Sequence, residues 1–367
     1  MSSAVRAAVG RAFGEPLSIE SVMLDDPQPG EVRVRLGAVA ICHSDVSFAD
    51  GEWGGDLPAV WGHEAAGVIS AVGEQVGFEV GQRVVVTRVR SCGECGRCQR
   101  GAEVACRADF ALNHRTPLHD SDGTPIAHGL GTAAFAEEVV VHCSQVVPID
   151  DDIPAASASM LACGVITGVG AVANTAKVEP ASTVVVLGCG GVGLNVVQGA
   201  SIARASTIVA VDPQPSKLDL AMRLGATHVH ALASGCELAK LIADLTDGSM
   251  ADYVFVATGA PRALADASDL VGTMGAVVIV GMPASGVAGA FDPGLLVTRN
   301  QRILGSRMGT SIIARDIPQL VTRYRSGELE LDGLISQTFS LDDINEALDE
   351  VRSGAALRNV VVFDTDL

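Results

Sequence analysis

A glycine-rich turn near the middle of this 367-residue chain limits the folds that it can adopt. The apolar stretch 184–187 runs directly into the turn, and a helical pattern follows it. Glycines spaced as G-x-G-x-x-G permit a tight turn, let the backbone approach a pyrophosphate, and let the helix pack closely on the strand. The free amides at the helix start then face negative charge. We therefore expect a dinucleotide-binding βαβ unit whose turn contacts are Gly188, Gly190, Gly191, Val192 and Gly193.

Asp212 indicates which dinucleotide this turn would hold. It ends the next apolar stretch, 208–211, about twenty residues beyond the turn. A carboxylate at this point accepts hydrogen bonds from ribose hydroxyls and repels a 2′-phosphate, so NAD is favoured over NADP. The alternative is a glycine turn that only packs a helix against a strand and holds no ligand.

The chain is long enough for two domains of different architecture. At roughly 150 residues per domain, its length predicts two lobes, each with its own core. Frequent glycine and proline with short apolar runs across 4–150 indicate small antiparallel strands in a β-barrel-like domain. Strands that alternate with helical segments further on predict a parallel sheet, with strands at 184–187, 208–211, 253–257 and 277–280.

The last sixty or so residues are expected to rejoin the first domain. Helical patterns at 317–326 and 342–353 precede a final strand at 360–363. The predicted fold class is α/β. We expect a catalytic domain of residues 1–163 and 306–367, with a small lobe at about 90–110, and a Rossmann cofactor domain of residues 164–305.

Composition excludes several classes of partner. The formal net charge of −18 opposes nucleic-acid binding, which needs clustered lysine and arginine to displace counterions. No charged and apolar leader is visible at the N-terminus, so we expect a cytoplasmic protein. The uncharged stretch 153–176 is long enough for a membrane span, but its serine, threonine, asparagine and glycine content favours a buried segment instead.

Four of the nine cysteines have the spacing of a metal site. Cys92, Cys95, Cys98 and Cys106 form C-x2-C-x2-C-x7-C, close enough to surround one tetrahedral zinc. Four thiolates leave no open position, so the zinc would be structural. Disulfides are disfavoured in a reducing compartment, and an iron–sulfur cluster is the remaining rival.

A second set of ligands would leave a coordination position open. Cys42, His63 and Cys163 offer two thiolates and one imidazole, and the fourth position then remains for substrate. The segment Gly62-His63-Glu64-x2-Gly67-x5-Gly73-x2-Val76 resembles the signature of zinc-dependent medium-chain alcohol dehydrogenases. The four-cysteine lobe and the dinucleotide turn resemble the same family. The resemblance implies a GroES-like catalytic domain beside the Rossmann domain.

The resemblance also assigns roles to individual residues. It implies that Cys42, His63 and Cys163 ligate a catalytic zinc, and that the Ser44 hydroxyl touches the substrate oxygen and passes its proton outward. Asp45 would orient His63, and Glu64 would be a further carboxylate beside the metal. The remaining implied roles are Lys217 at the ribose with Asp212, His43 and Arg358 at the pyrophosphate, Met282 at the cofactor, and Trp53, Leu130 and Met282 in the substrate pocket.

Two positions depart from the family pattern. Ser47 occupies a place where many members carry a histidine that ends the proton relay, and Arg88 stands where an aromatic residue often lines the pocket. Arg88 either binds an anionic group of the substrate or points to solvent. The loop between Cys106 and Gly131 resembles thiol-dependent formaldehyde dehydrogenases of the class III and mycothiol types, in which Arg88, Arg90 and Arg115 are candidates for holding the charge of the carrier.

We therefore expect a zinc-dependent enzyme that moves hydride between a primary alcohol and NAD, with two zinc ions per subunit. Oxidation of a thiol–formaldehyde adduct is the alternative. A polyol dehydrogenase is weaker, since its third ligand is more often a carboxylate than a residue such as Cys163. A non-catalytic binding protein of the same fold would be expected to lack a zinc ligand or a glycine of the turn. A zinc-finger-like module that binds nucleic acid would be expected to have a basic surface. The expected assembly is a homo-oligomer, with a dimer favoured over a tetramer, and without membrane or nucleic-acid partners.

Overall fold

A computed structural model describes residues 2–231 and 235–363 of the chain, and the side chains of Gly235 and Cys236 lie outside that description. The chain divides into two compact units. The first contains residues 1–163, 312–325 and 331–367, and the second contains residues 164–311 and 326–330. The prediction differs in two segments: it placed residues 306–311 and 326–330 in the catalytic domain, whereas they belong to the second unit. The assignment of the units to catalysis and to cofactor binding stays a prediction.

The first unit is built from short strands in two sheets. One sheet has the order β1-β2-β7-β8-β4, and the other has the order β10-β6-β5-β3-β18-β17, with β9 also paired to β3. Apart from the β4–β8 and β17–β18 pairs, the pairings are antiparallel. The strands, numbered along the whole chain, are β1 Ser3–Val9, β2 Ser18–Leu24, β3 Glu31–Ala40, β4 Ala59–Val60, β5 Glu64–Val72, β6 Arg83–Val86, β7 Leu118–His119, β8 Pro125–His128, β9 Glu138–His142, β10 Val146–Pro148, β17 Ile335–Phe339 and β18 Arg358–Val362.

Branched aliphatic side chains form the core of this unit, as the low aromatic content of the chain implies. Val34, Leu36 and Val39 of β3 are fully buried and pack in one cluster with Ile69 of β5 and Val84 of β6. Alternating apolar residues suit pleated strands that are covered on one face or both. Its helices are α1 His43–Ala49, α2 Ala155–Met160, α9 Ile313–Arg325 and α10 Ile344–Ser353.

The second unit contains one parallel sheet of order β13-β12-β11-β14-β15-β16. Its strands are β11 Thr183–Leu187, β12 Thr207–Asp212, β13 His228–Ala231, β14 Ala251–Val256, β15 Val271–Ile279 and β16 Arg302–Gly305. Its helices are α3 Ile166–Gly170, α4 Gly191–Ile202, α5 Pro215–Arg223, α6 Gly235–Leu245, α7 Pro261–Leu270 and α8 Pro293–Thr298. Parallel strands joined through helices bury both faces of the sheet, which explains the near-continuous valine runs.

The four predicted parallel strands correspond to β11, β12, β14 and β15, but the sequence analysis missed β13 and β16. These two lie at the edges of the sheet, where His228 and His230 or Arg302 interrupt the apolar pattern. An edge strand is partly exposed, so a continuous apolar run is not required of it. The predicted terminal strand corresponds to β18, which pairs with β3 of the first unit.

The apolar segment 153–176 forms one helical stretch, Ala155–Ala176, with a mean hydropathy of 1.7 in its most apolar window. Its length and composition alone would allow a membrane span. However, 89% of that window is buried inside the protein, which is typical of a core helix. Two π-helical segments, Leu161–Val165 and Ala171–Ala176, interrupt its α-helical geometry.

Candidate metal centres and cofactor site

The first unit brings together four potential metal ligands from distant parts of the chain. Ligand atoms of Cys42, His63, Glu64 and Cys163 all lie within 4.8 Å of one another. Cys42 caps the start of α1, His63 immediately precedes β5, and Cys163 follows α2 in the π-helical turn Leu161–Val165. A single π turn redirects a side chain within a helix and is frequent at functional sites. Two sulfurs, a nitrogen and an oxygen within this distance fit one zinc ion.

Asp45 holds the imidazole of His63 in one orientation. Its Oδ1 lies 2.9 Å from His63 Nδ1 and accepts from the backbone N–H of Gly62 at 3.1 Å. Its Oδ2 accepts from the backbone N–H of Cys42 at 2.9 Å, and the carboxylate is completely buried. With Nδ1–H donated to Asp45, the lone pair of Nε2 is left for a metal. Asp45 thus joins the two segments that carry Cys42 and His63.

The charges in this cluster alter the protonation of its ligands. A hydrogen bond from Cys163 lowers the pKa of Cys42 well below its usual range, and the hydrogen bond with burial raises that of Cys163. Burial opposes a charged imidazole, but Asp45 and Cys42 outweigh it and raise the pKa of His63 to about 10. Burial raises the pKa of Glu64 to about 7 against the opposing effect of Arg358, to which its carboxylate is hydrogen-bonded. A divalent cation would replace protons that the cluster otherwise shares.

The four cysteines of the lobe form a second cluster with the dimensions of a single-ion site. Their Sγ–Sγ distances are 3.9 Å for Cys92–Cys98, 3.6 Å for Cys95–Cys98, 4.0 Å for Cys95–Cys106 and 3.7 Å for Cys92–Cys106. Sulfurs about 2.3 Å from a tetrahedral zinc are about 3.8 Å apart. Disulfide sulfurs would be about 2.05 Å apart. The geometry fits one zinc and excludes the disulfide alternative for these cysteines.

Backbone amides help to stabilise thiolates in this lobe. Cys95 N donates to Cys92 Sγ at 3.3 Å, and Ala108 N donates to Cys106 Sγ at 3.4 Å. Hydrogen bonds from the backbone of Cys98 and Arg97 lower the pKa of Cys95 to about 6. Burial raises the pKa of Cys98 to about 12, with hydrogen bonds to Cys95 and Cys106 adding to the effect. A thiolate is the form that binds metal, so a bound zinc would displace the proton of Cys98.

Arg90 anchors the lobe to the strands of the first unit. Its guanidinium donates to Gln145 Oε1 at 2.8 Å, Asn113 Oδ1 at 2.8 Å and Gly131 O at 3.3 Å. Its Cζ also lies 5.6 Å from the centre of the Phe110 ring. Each of the three guanidinium nitrogens makes one of these bonds, so the fold holds the side chain of Arg90 in place.

In the second unit, the glycine turn joins β11 to α4 as the sequence pattern predicts. Gly188 has a φ of +95°, and a Cβ on Gly193 would lie 1.8 Å from Gly188 O. The turn and the close approach of the helix therefore both require glycine. A Cβ on Gly190 would meet no protein atom within 4 Å. Open space before a helix N-terminus fits a pyrophosphate.

Asp212 ends β12 beside this turn. Its Oδ2 accepts from Cys189 N at 2.8 Å and its Oδ1 accepts from Gln214 N at 2.9 Å. Each carboxylate oxygen has a further lone pair for a ribose hydroxyl. Lys217 is buried in α5, and Met282 is exposed after β15. The carboxylate thus supports the glycine turn, a contact that the sequence analysis did not foresee.

Comparison with known proteins gives the same architecture. The alcohol dehydrogenase GroES-like domain model matches residues 28–151, and the zinc-binding dehydrogenase model matches residues 191–326. The S-(hydroxymethyl)glutathione dehydrogenase of Paracoccus denitrificans is 36% identical, over 98% of this chain and 99% of that protein. An NDMA-dependent alcohol dehydrogenase of Amycolatopsis methanolica is 34% identical, over 98% and 99%.

The chain belongs to the zinc-dependent alcohol dehydrogenase family. The crystal structure of benzyl alcohol dehydrogenase from Acinetobacter calcoaceticus superposes with a TM-score of 0.90 at 32% identity, covering 98% of this chain and 99% of that one. The predicted family, the two-domain α/β fold and the oxidoreductase class are confirmed. The relatives include both alcohol dehydrogenases and a thiol-adduct dehydrogenase, as the resemblance implied.

The helix α1 carries three further predicted positions of this dehydrogenase. Ser44 Oγ lies 3.5 Å from His63 Nε2, at the edge of the metal cluster. His43 is exposed at the first position of the helix, while Ser47, one turn later, is buried. Ser44 is thus placed beside the imidazole nitrogen that faces a metal.

The remaining predicted residues have different surroundings. The guanidinium of Arg115 is bonded to Glu31, so its charge is already matched. Trp53 is half-buried, packs edge-on against Phe48 at 5.2 Å, and has a buried Nε1 without an acceptor among the described residues. Leu130 is half-buried in the turn Gly129–Gly131 with a φ of +55°.

Sequence reasoning missed two contributions to the metal cluster. It placed the Glu64 carboxylate beside the metal but not among the ligands, whereas one of its oxygens lies within 4.8 Å of the other potential ligand atoms. It gave Gly62 no role, whereas the backbone N–H of Gly62 holds Asp45. Gly62 has a φ of +91°, and a Cβ there would lie 2.6 Å from Phe135 N. The only sequence feature that could have indicated this role is that Gly62 belongs to the signature segment.

Replacing Asp45 with asparagine tests the orientation of His63. An amide keeps the shape but loses the negative charge behind the imidazole, so we expect zinc affinity or kcat/KM to fall about 10- to 100-fold. Metal content after dialysis against a chelator and steady-state kinetics measure the two effects. Asp50→Asn is the control, because Asp50 follows the same helix but pairs with Arg352 at 2.7 Å. Equal zinc retention in both variants would contradict the role of Asp45.

Proposed function

We propose that this dehydrogenase oxidises a primary alcohol with NAD as the hydride acceptor, or reduces the corresponding aldehyde with NADH as the hydride donor. We propose that it holds two zinc ions per subunit. The observation that carries the proposal is the cluster of Cys42, His63, Glu64 and Cys163 beside the Ser44 hydroxyl. A zinc ion held by such ligands supplies Lewis acidity that favours loss of the alcohol proton. The four-cysteine cluster would hold the second, structural zinc.

The residues of the first unit have distinct tasks in this proposal. Cys42, His63 and Cys163 would ligate the catalytic zinc, and Glu64 is a carboxylate within reach of the same ion. Ser44 would accept the alcohol proton and hand it on, and Asp45 would keep His63 Nε2 directed at the metal. Arg358 would balance Glu64, with which it forms a buried ion pair, and with His43 would contact the cofactor pyrophosphate.

The second unit would bind NAD through its glycine turn. Gly188, Gly190, Gly191, Val192 and Gly193 would surround the pyrophosphate at the start of α4. Asp212 and Lys217 would contact the adenosine ribose, and Met282 the nicotinamide end. Asp212 is buried and accepts two backbone N–H groups, which hold its carboxylate beside the turn, and a carboxylate at this position repels a 2′-phosphate. This supports NAD over NADP.

Oxidation of a thiol–formaldehyde adduct is the second candidate function. The similarity to an S-(hydroxymethyl)glutathione dehydrogenase favours it. The internal bonds of Arg90 and Arg115 weigh against it, since two of the three arginines considered for the carrier already have partners. Free alcohols are therefore the leading substrates.

We also propose a cytoplasmic homo-oligomer, with a dimer favoured. β16 is an edge strand of the parallel sheet, and Ile303 on it is exposed. Phe291 and Val297 nearby in the chain are also exposed, and a cavity of about 230 Å³ is lined by Phe291, Leu295 and Ile303. Exposed strand edges and apolar patches are typical of surfaces that another chain covers. Light scattering on the purified protein measures the assembly.

The initial rate of NAD reduction tests the proposed reaction. Zinc-loaded protein is assayed with aliphatic and aromatic primary alcohols, and with formaldehyde in the presence and absence of glutathione or mycothiol. We expect turnover of free alcohols that no thiol alters, and lower kcat/KM with NADP. Formaldehyde oxidation that requires a thiol and exceeds every free alcohol would establish the second candidate instead. No turnover of any of these substrates would refute both.

A further inference from the structure

Among the described residues of the first unit, Arg88 is the one half-buried arginine whose side chain has no partner. The other arginines there are exposed, or are bonded to a carboxylate, an amide or a backbone carbonyl, or in the case of Arg323 have another interaction. Arg88 is half-buried and forms no hydrogen bond or ion pair with a described residue. A guanidinium that loses part of its water without gaining an anion is destabilised. A ligand can supply the anion that the fold does not.

The strand register leads Arg88 towards the metal cluster. β5 and β6 pair antiparallel, with Ala65 opposite Val86 and Ala66 opposite Val85. β6 ends at Val86 and β5 begins at Glu64, so Arg88 follows the end of β6 that lies beside the start of β5, which His63 immediately precedes. Arg88 and a ligand of the cluster thus leave the same end of the same strand pair.

The backbone that carries Arg88 is held on both sides. Thr87 N donates to Gln145 O at 2.8 Å, and Val89 N donates to Thr87 Oγ1 at 3.0 Å. Thr87 and Val89 are both buried, so Arg88 lies at a bend between two anchored residues. A side chain on a fixed backbone loses less freedom when it binds, which favours recognition.

The side chain of the neighbouring Arg90 has a structural role, unlike that of Arg88. It is bonded to Gln145, Asn113 and Gly131, whereas Arg88, two residues earlier, has no such partner. The overall charge of −18 repels anions, so a local cation would be needed to attract one. Guanidinium groups match carboxylates in shape and can bind them through two parallel hydrogen bonds.

We propose that Arg88 makes this dehydrogenase selective for alcohols that also carry a carboxylate. The alcohol group would lie at the cluster of Cys42, His63 and Cys163, and the carboxylate would bind the guanidinium of Arg88. The substrate class is thus a hydroxy acid, or the aldehyde acid on reduction. This rests on the proposed alcohol dehydrogenase function and specifies its substrate.

The test compares a carboxylate substrate with a neutral one of nearly equal shape. 4-(Hydroxymethyl)benzoate is paired with 4-(hydroxymethyl)benzamide, and 6-hydroxyhexanoate with 6-hydroxyhexanamide. In the unsubstituted enzyme, kcat/KM should favour the acid of at least one pair by about 10- to 100-fold, the range for a charge-assisted hydrogen-bonded pair. Arg88→Gln should abolish this preference while changing kcat/KM for the amides less than about twofold. Arg88→Lys should retain part of it, because charge remains but the planar geometry is lost.

Arg35→Gln is the matched control. Arg35 lies on β3 in the same unit and is exposed, and its side chain forms no hydrogen bond or ion pair with the described residues. This variant should keep the full preference for the acid. Equal losses for acid and amide in Arg88→Gln would mean that Arg88 is only structural, and the proposal would be wrong. A preference that survives in Arg88→Gln would also overturn it.

Calorimetric titration provides a readout that does not need turnover. The acids and amides are titrated into the zinc-loaded protein and into Arg88→Gln. We expect the unsubstituted protein to bind one acid at least about 10-fold more tightly than its amide, and Arg88→Gln to bind both alike. If the protein oxidises no alcohol but shows this binding difference, the proposed reaction fails while the role of Arg88 stands. If alcohols are oxidised without any preference for acids, the reaction stands and the role of Arg88 fails.

Discussion

Replacing Cys163 with alanine is expected to lower kcat at least about 1000-fold while leaving most of the fold intact. The substitution removes a thiolate from the cluster that also contains Cys42 and His63. The Lewis acidity of a bound zinc contributes several kcal/mol to the stabilisation of the transition state, and each 1.36 kcal/mol is tenfold in rate. Zinc analysis should show one ion per chain lost from the two proposed. Steady-state kinetics and circular dichroism measure activity and fold.

Two further variants show whether the effect comes from ligation. Cys163→Asp offers an oxygen ligand in place of sulfur, so it should retain more zinc than the alanine variant. Cys143→Ala is the control for loss of a thiol, because Cys143 is a half-buried residue of the same unit outside both clusters. It should keep its zinc and its activity. Full activity in Cys163→Ala would contradict the proposed catalytic site.

Replacing Cys95 with serine is expected to affect stability rather than chemistry. Cys95 lies within 4.0 Å of the sulfurs of Cys98 and Cys106, so its loss opens the four-thiolate site. Structural zinc sites bind with roughly 10–16 kcal/mol of apparent free energy. Losing about 4 kcal/mol of this would lower the melting temperature by about 10 °C in a protein unit of this size. Calorimetry measures the melting temperature, and metal analysis measures the lost zinc.

The local consequence of the Cys95 substitution should be confined to the lobe. Amide hydrogen exchange should accelerate across residues 92–106, and the strands of both sheets should keep their protection. Cys143→Ala again provides the comparison. An unchanged melting temperature and unchanged exchange in the lobe would show that the four cysteines do not stabilise the fold through a metal.

Short-range patterns made parts of this protein predictable. The glycine turn is such a case, since strand, turn and helix are adjacent in the chain and each residue acts on its neighbours. The four-cysteine lobe is another, because its ligands lie within fifteen residues. The identity of the candidate catalytic ligands followed from a resemblance, not from spacing, since Cys42 and Cys163 are far apart in the chain.

Contacts between distant segments showed which arginine lacks a partner and where the edge strands lie, and local sequence patterns could not predict either. The sequence offered three arginines as candidates for binding an anion. In the structure, Arg90 is hydrogen-bonded to Gln145 and Arg115 is paired with Glu31. The side chain of Arg88 has no such partner among the described residues. The edge strands β13 and β16 were missed because partial exposure removes the continuous apolar run that marks buried strands.

Residue types and motifs were enough to predict which side chains could hold metal, where a pyrophosphate could meet a helix, and which family the chain resembles. The glycine turn and the four-cysteine lobe depend on residue type and short spacing, whereas the catalytic ligands followed from the resemblance. The packed fold was needed to show that Glu64 lies in the metal cluster and that Asp45 links Cys42 to His63. It was also needed to show which of the three candidate arginines has no side-chain partner among the described residues. These outcomes depend on contacts between segments far apart in the chain, and such contacts form only when the strands and helices pack.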